Sequence, residues 1–131
     1  MQILTSVVIP IRNNLDIVTA RSMLRDEVHR QSCWTQPFHA RAASALTSMA
    51  ELVLFSHATG TLQIGTVERG DELGIELRYD FSWLGEPQSW RELSIARRQL
   101  VHLTDDVTLT GETDRRELVV RIWPALGEVR C

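Results

Sequence analysis

The clearest candidate for catalytic chemistry is a helical segment near the middle of the chain, ALTSMAELVLFSHATG at residues 45–60. Its apolar residues recur at helical spacing, and its final Thr-Gly pair is a stop signal. Such a helix either fills a core or carries a catalytic acid on the face toward a pocket. The segment contains a single carboxylate, Glu51, so the answer depends on what the other elements place beside it.

The histidines and cysteines do not follow a metal-ligating pattern. The four histidines lack a spacing such as His-x-x-x-His, and the two cysteines lie far apart in the sequence. We therefore predict no metal site, and we interpret both cysteines as buried or spare thiols. We find no spacing of Ser, His and Asp that indicates a catalytic triad. The acidic pairs at 105–106 and at 112 and 114 are typical of turns. The residues concerned are His29, His39, His57, His102, Cys33 and Cys131.

Composition narrows the class of protein. The net charge of −3 gives no electrostatic footprint for nucleic acid, and all 14 basic residues are arginines, which excludes a lysine mechanism. No apolar stretch approaches the roughly 20 residues that span a bilayer. The N-terminal sequence MQILTSVVIP lacks the basic region of a signal peptide, so we expect a cytoplasmic protein that binds neither membrane nor nucleic acid.

Hydrophobic periodicity predicts the elements that must position these residues, in the order βααββαββ. Residues 3–11 alternate like a strand, with Thr5, Val7, Ile9 and Ile11 on one face. Two helices follow, then a hairpin around RGD at 69–71, a third helix after the Ser89–Glu92 capping box, and a final hairpin. The predicted core faces are Ile17, Ala20, Leu24 and Val28 on the first helix, capped by Asn13 or Asn14, and Ala42, Ala45, Leu46, Met49, Leu52 and Val53 on the second.

This order predicts an α+β fold in a single domain, residues 1–131. We expect a two-layer sandwich in which three helices cover one face of a mixed, five-stranded sheet.

The order of elements, with PIRNNLDIVTAR leading into an Ala-rich second helix, resembles the GHKL (histidine-kinase-like) ATPases of bacterial anti-sigma and stress-response regulation, and among them the RsbT/RsbW-type switch serine kinases. The tail, ARRQLVHLTDDVTLTGETDRRELVVRIW, resembles the last helix and closing hairpin of that family. The resemblance covers nearly the whole chain. Its matching residues are Pro10, Ile11, Arg12, Asp16, Ile17, Val18, Ala20, Arg21, Ala45, Ala50, His57 and Ala58.

The resemblance implies a nucleotide site whose chemical residues this chain lacks. The family's second helix carries a catalytic Glu and, four residues on, an Asn that holds the Mg²⁺ of ATP; those positions fall on Ser48 and Leu52. Shifting the alignment by one residue gives Met49 and Val53, and Glu51 fits neither register. We therefore predict no catalytic residue, no metal and no cofactor.

The family's adenine-binding turn and its phosphate-binding lid are altered as well. Asp80 stands where the resemblance implies an adenine contact, but Phe81, Ser82, Trp83 and Leu84 follow where glycines are expected. About a dozen residues separate Asp80 from the next helix, and they contain no Gly-x-Gly, so the ATP lid looks deleted. An Asp that caps a turn is the alternative interpretation of Asp80.

The predicted function is that of a catalytically inactive, kinase-like regulatory protein that binds other proteins in an anti-sigma or stressosome-type partner-switching circuit. The resemblance implies a STAS-domain antagonist, a sigma factor or a true kinase as partner, and a homodimer as the assembly. Aromatic and apolar residues after the central strand either fill the vacated nucleotide cavity or anchor a partner. These residues are Phe81, Trp83, Leu84 and Trp90.

Two other functions stay open at this point. One is an active ATP-dependent protein serine kinase with displaced residues, using Glu51 as base and Asp80 for adenine. The other is a small α+β enzyme or ligand binder whose lid-less pocket, lined by Trp83 and Phe81, holds an apolar molecule.

Overall fold

The five strands form one antiparallel sheet with the order β1-β2-β3-β5-β4 in a computed structural model of the chain. The structure describes residues 2–31, 33–55, 60–82, 98, 100–112 and 115–130. Helical residues at 98 and 100–103 belong to the predicted third helix, most of which lies outside the described residues. The elements are β1 (Gln2–Ile11), α1 (Asn14–His29), α2 (Gln36–Phe55), β2 (Gly60–Arg69), β3 (Glu72–Ser82), β4 (Asp106–Glu112) and β5 (Arg115–Ile122).

The prediction of a mixed sheet is wrong, because every strand pair is antiparallel. The two helices after β1 return the chain to the end where β1 stopped, so Gly60 pairs with Ile11 and β2 runs back along β1. The β2–β3 and β4–β5 hairpins are antiparallel by construction, and Gly70 has the positive φ of 61° in the first of them. The α+β class and the element order around the two hairpins agree with the sequence prediction.

Helix α1 begins where the sequence places its cap. The Asn13 side chain accepts a hydrogen bond from the Asp16 backbone N–H at 3.1 Å, and the Asp16 carboxylate accepts one from the Arg12 N–H at 2.7 Å. The helix contacts β1 and β2 through its predicted apolar face. That face is Ile17, Ala20, Leu24 and Val28, all buried.

Helix α2 packs against α1 and β3 and supplies the centre of the core. Its predicted core residues Ala42, Ala45, Leu46, Met49 and Leu52 are all buried. Opposite them, alternate residues of β3 point toward the helices, and Ile75, Leu77 and Tyr79 are fully buried. One continuous cluster therefore fills the space between the helical layer and one face of the sheet. The sheet's other face, which we call the outer face, carries the intervening residues.

The segment that follows β5 is held against the start of α2. The Arg41 guanidinium donates to the Trp123 carbonyl at 2.6 Å and to the Glu128 carboxylate at 2.8 Å. The Arg130 N–H donates to the Cys33 carbonyl at 2.7 Å. Cys33 is disulfide-bonded, so its interpretation as a spare thiol is wrong. The sequence has one other cysteine, Cys131, which lies outside the described residues.

Among the described residues, none of the helices combines the length and the apolar character needed to cross a membrane.

Candidate functional site

The two α2 positions at which the resemblance implies chemistry differ in their surroundings. Leu52 is 6% exposed and belongs to the central core cluster. Ser48, one turn earlier, is half-buried and lines a cleft between the helices. Glu51, the carboxylate of the same segment, is exposed. The segment therefore packs a core through Leu52 and leaves its polar residues toward solvent or the cleft.

Asp80 lies on the outer face of the sheet, away from the helices. It pairs with Thr61 of β2 and Glu117 of β5, and it is exposed. Its neighbours Tyr79 and Phe81 point the opposite way, into the core, where their rings meet edge to face at 5.7 Å between centroids. Because Asp80 and Leu52 lie on different sides of the β3 backbone, the structure does not bring them into one site.

Phe81 is 1% exposed and packs in the core. The other aromatic and apolar positions predicted to fill a pocket or anchor a partner, Trp83, Leu84 and Trp90, lie outside the described residues. The same is true of most of the segment in which the lid is predicted to be missing. Within the described residues, no three His, Cys, Asp or Glu side chains are grouped so that they could hold a metal ion.

A groove lies between α1 and α2 and is lined by residues of both helices. It comprises two clefts of about 410 and 550 Å³ that share Arg21, His39 and Ala43. We call it the α1–α2 groove. Its α1 side is formed by Val18, Arg21, Ser22 and Arg25, and its α2 side by His39, Ala40, Ala43, Ser44, Thr47 and Ser48.

The α1–α2 groove holds positive charge without a carboxylate to neutralise it. Arg21 and Arg25 are one helical turn apart and both exposed, and neither forms an ion pair with a described residue. The nearest polar contact of the Arg25 guanidinium is the Ser22 hydroxyl at 3.5 Å. These two guanidinium groups are therefore free to meet an external anion.

The pKa of His39 depends on the charges that surround the groove. Burial lowers the pKa of His39 below its usual 6.5, and the positive charges of His29, Arg25 and Arg21 lower it further. The imidazole rings of His29 and His39 are 6.1 Å apart between centroids. The charges of Arg21 and Arg25 therefore reach across the groove to His39 on α2.

The outer face of the sheet carries a second charged cluster, in which the charges are paired. Glu76, 4% exposed, accepts from Arg78 at 3.2 Å and from Arg121 at 2.9 Å. Arg78 also reaches the Glu117 carboxylate at 3.3 Å. We call these four residues the Glu76 network. Both arginines of this network form ion pairs with carboxylates on the same face of the sheet.

Sequence reasoning did not identify the α1–α2 groove. A signal was present, since Arg21, Arg25 and His29 recur every four residues on α1, along the flank of its core stripe. The hydroxyl residues of α2 also recur at helical spacing. Which faces of the two helices lie side by side depends on tertiary packing, and neither pattern specifies that.

Comparison with known proteins does not assign a family. The chain matches no model in a scan against protein families, and a search of curated proteins finds no match. The resemblance to GHKL-type ATPases therefore rests on the residues quoted above and stays a prediction.

Proposed function

We propose that the protein is a catalytically inactive, kinase-like regulator that acts by binding other proteins in an anti-sigma or stressosome-type circuit. The observation that carries this proposal is the burial of Leu52 in the core, at the position where the resemblance implies a Mg²⁺ ligand. Asp80, the residue retained for adenine, is exposed on the far side of the sheet from the helices. Among the described residues, the positions that the resemblance implies for a nucleotide are thus buried or lie on different faces.

Phosphoryl transfer depends on positioning and on neutralising phosphate charge more than on any single side chain. A buried leucine supplies neither a metal ligand nor a charge. An exposed Glu51 on α2 and an outward-facing Asp80 on β3 do not converge on one substrate. No observation in the described chain favours the active kinase or the binder of an apolar molecule, and both enter as outcomes of the test below.

Protein binding is supported by the solvent-facing side of α1. Leu15 is 76% exposed and Val18 is 65% exposed, and three-residue spacing puts them on neighbouring positions of the helix surface. Adjacent exposed apolar side chains next to a charged groove are typical of interaction surfaces. We propose a STAS-domain antagonist, a sigma factor or a true kinase as the partner, with a homodimer as the resting assembly.

The first experiment is calorimetric titration of Mg-ATP into the purified protein, together with its melting temperature at several millimolar nucleotide. We expect neither saturable heat nor stabilisation from a site that contains Asp80, since a ligand of the native state raises stability by mass action. Saturable binding that the Asp80→Ala variant abolishes would overturn the proposal in favour of the kinase. Stabilisation by a panel of apolar molecules instead would favour the ligand binder.

The second experiment tests binding directly. The purified protein is immobilised and titrated with STAS-domain proteins, sigma factors and switch kinases from the same genome, with and without ATP. We expect saturable, ATP-independent binding to one of them, weakened by Leu15→Ser and Val18→Ser and unchanged by Glu72→Gln on a distant hairpin. Absence of binding to every class would contradict the proposed circuit.

The proposal places the protein in the cytoplasm, where such circuits operate. The disulfide at Cys33 weighs against that location, because structural disulfides are rare in reducing compartments. Fractionation of cells, with the thiols blocked before lysis, tests both points at once. We expect the protein in the cytoplasmic fraction with Cys33 still in its disulfide, and recovery outside the cytoplasm would contradict the proposed location.

A further inference from the structure

We propose that the α1–α2 groove is a binding site for a phosphoryl group, either free phosphate or the phosphate of a modified side chain. This inference does not depend on the proposed regulatory role, since it rests on the groove alone. The groove lies on the surface of the helical layer and is separate from Leu52, which is buried, and from Asp80, which is on the outer face of the sheet.

The first step of the argument is charge. The chain as a whole is acidic, with a net charge of −3, yet the groove gathers Arg21, Arg25 and His39 on its walls. Neither arginine has a carboxylate partner in the described chain. Like charges one turn apart on a helix repel each other and destabilise it. A dianion in the groove relieves that repulsion at both arginines together.

The second step is the chemistry of the donors. A guanidinium presents a planar fork of N–H groups that matches two oxygens of a phosphate, and charge-assisted bonds of this kind are among the strongest in proteins. Hydroxyl groups of Ser22, Ser44 and Ser48 line the same clefts and supply further donors. The Thr47 hydroxyl is already used, because it donates to the Ala43 carbonyl at 2.9 Å.

The third step is size. The two clefts, of about 410 and 550 Å³, fall within the range of about 300–1,000 Å³ that is usual for small-molecule sites. The small side chains of Ala40 and Ala43 keep the α2 wall low, so an oxyanion can approach the arginines of α1. A phosphoryl group carried on a side chain therefore fits as well as free phosphate.

The probes are inorganic phosphate and the pentapeptide Gly-Gly-phosphoserine-Gly-Gly, with the unphosphorylated peptide as reference, each titrated by calorimetry at low ionic strength. We expect the phosphopeptide to bind and the unphosphorylated peptide not to bind. Binding of phosphate with similar affinity identifies the free anion as a sufficient ligand. Binding of the phosphopeptide alone identifies a modified protein as the source.

The matched variants are Arg21→Gln, Arg25→Gln and Arg12→Gln. All three remove one positive charge from an exposed side chain, but Arg12 lies outside the groove. We expect each groove variant to lower the affinity by about ten-fold, as loss of one charge-assisted interaction does, and Arg12→Gln to leave it unchanged. Equal loss in all three variants, or none in the groove variants, would overturn the proposal, as would equal binding of the unphosphorylated peptide.

The groove variants also separate this proposal from the proposed function. Heat from Mg-ATP that disappears in Arg21→Gln and Arg25→Gln, but persists in Asp80→Ala, belongs to phosphate binding in the groove. Heat that disappears only in Asp80→Ala belongs to a nucleotide site. Circular dichroism melts of every variant confirm that a lost signal does not come from unfolding.

Discussion

The outer face of the sheet and the α1–α2 groove both collect arginines, and they differ in what faces them. In the Glu76 network, Arg78 and Arg121 each bond the Glu76 carboxylate, which is 4% exposed. In the groove, the described structure gives Arg21 and Arg25 no carboxylate at all. Arginine therefore forms ion pairs within the protein on the outer face of the sheet, whereas in the groove its charge can bind an external anion.

The difference follows from the side-chain periodicity, which is two residues in a β-strand and about 3.6 residues in an α-helix. In a strand, residues two apart share a face, so Glu76 and Arg78 lie side by side on β3, and the pairing of β3 with β5 places Arg121 opposite Glu76. In a helix, residues four apart share a face, and on α1 that spacing brings Arg21 beside Arg25. On the sheet, the spacing of the residues places arginines beside a carboxylate. On α1, it places two arginines beside each other.

The largest expected effect comes from breaking the Glu76 network. Glu76→Gln removes the charge shared by two guanidinium groups that are about one third exposed, at 32% and 29%, and leaves Arg78 paired only with Glu117. We expect a loss of about 1–3 kcal/mol in the free energy of unfolding, less than for a fully buried pair because solvent screens the arginines. Urea denaturation of the wild type and the variant at neutral pH measures this difference in the free energy of unfolding.

Glu72→Gln is the matched control on the same strand. Its carboxylate pairs with Arg69 at 3.0 Å, but both side chains are about half exposed, at 50% and 51%. An exposed pair of this kind contributes about 0–1 kcal/mol. Equal destabilisation by the two substitutions would show that the burial of Glu76 does not matter and would weaken the contrast with the groove.

A smaller effect of opposite sign is expected in the groove. Arg21→Gln and Arg25→Gln each remove one member of a repelling pair, so we expect stability to stay the same or to rise by about 0.2–0.5 kcal/mol. The gain should shrink when 0.5 M NaCl is added, because salt screens exposed charges. Clear destabilisation by either substitution would mean that the arginine has a structural partner, and the groove would then resemble the Glu76 network.

Much of the fold is predictable from the sequence because burial follows periodicity. The four core residues of α1, the cap at Asn13 and both hairpins were predicted and are confirmed by the structure. The antiparallel relation of β1 to β2 was missed, because two intervening helices hide which end of the sheet the chain returns to. Periodicity within an element carries no information on the direction of a strand relative to a distant partner.

The candidate site was less predictable than the fold. The resemblance directed attention to Ser48, Leu52 and Asp80, which the structure distributes among a cleft, the core and the outer face. Of the two groove arginines, Arg21 entered the sequence prediction only as a residue that matches the family, and Arg25 did not enter it. Their importance depends on the absence of a neighbouring carboxylate, which is a property of tertiary packing.

The smallest and most specific effect concerns His39. The groups that lower its pKa are its own burial, then His29, Arg25 and Arg21 around the groove. Because the folded-state pKa lies below the unfolded value of 6.5, the unfolded chain binds more protons in that range, and His39 contributes stability that is lost as pH falls below 6.5. The contribution is constant at higher pH.

An NMR titration of the imidazole measures this pKa directly, and the groove variants sharpen the measurement. Removing a neighbouring positive charge makes protonation easier, so Arg25→Gln should raise the pKa of His39 toward 6.5, whereas Arg12→Gln should not change it. A bound phosphoryl group should raise it as well, because a dianion favours the protonated ring. If the pKa stays fixed in Arg25→Gln and with phosphate, the two walls of the groove are not electrostatically coupled, and the contrast with the Glu76 network loses its basis.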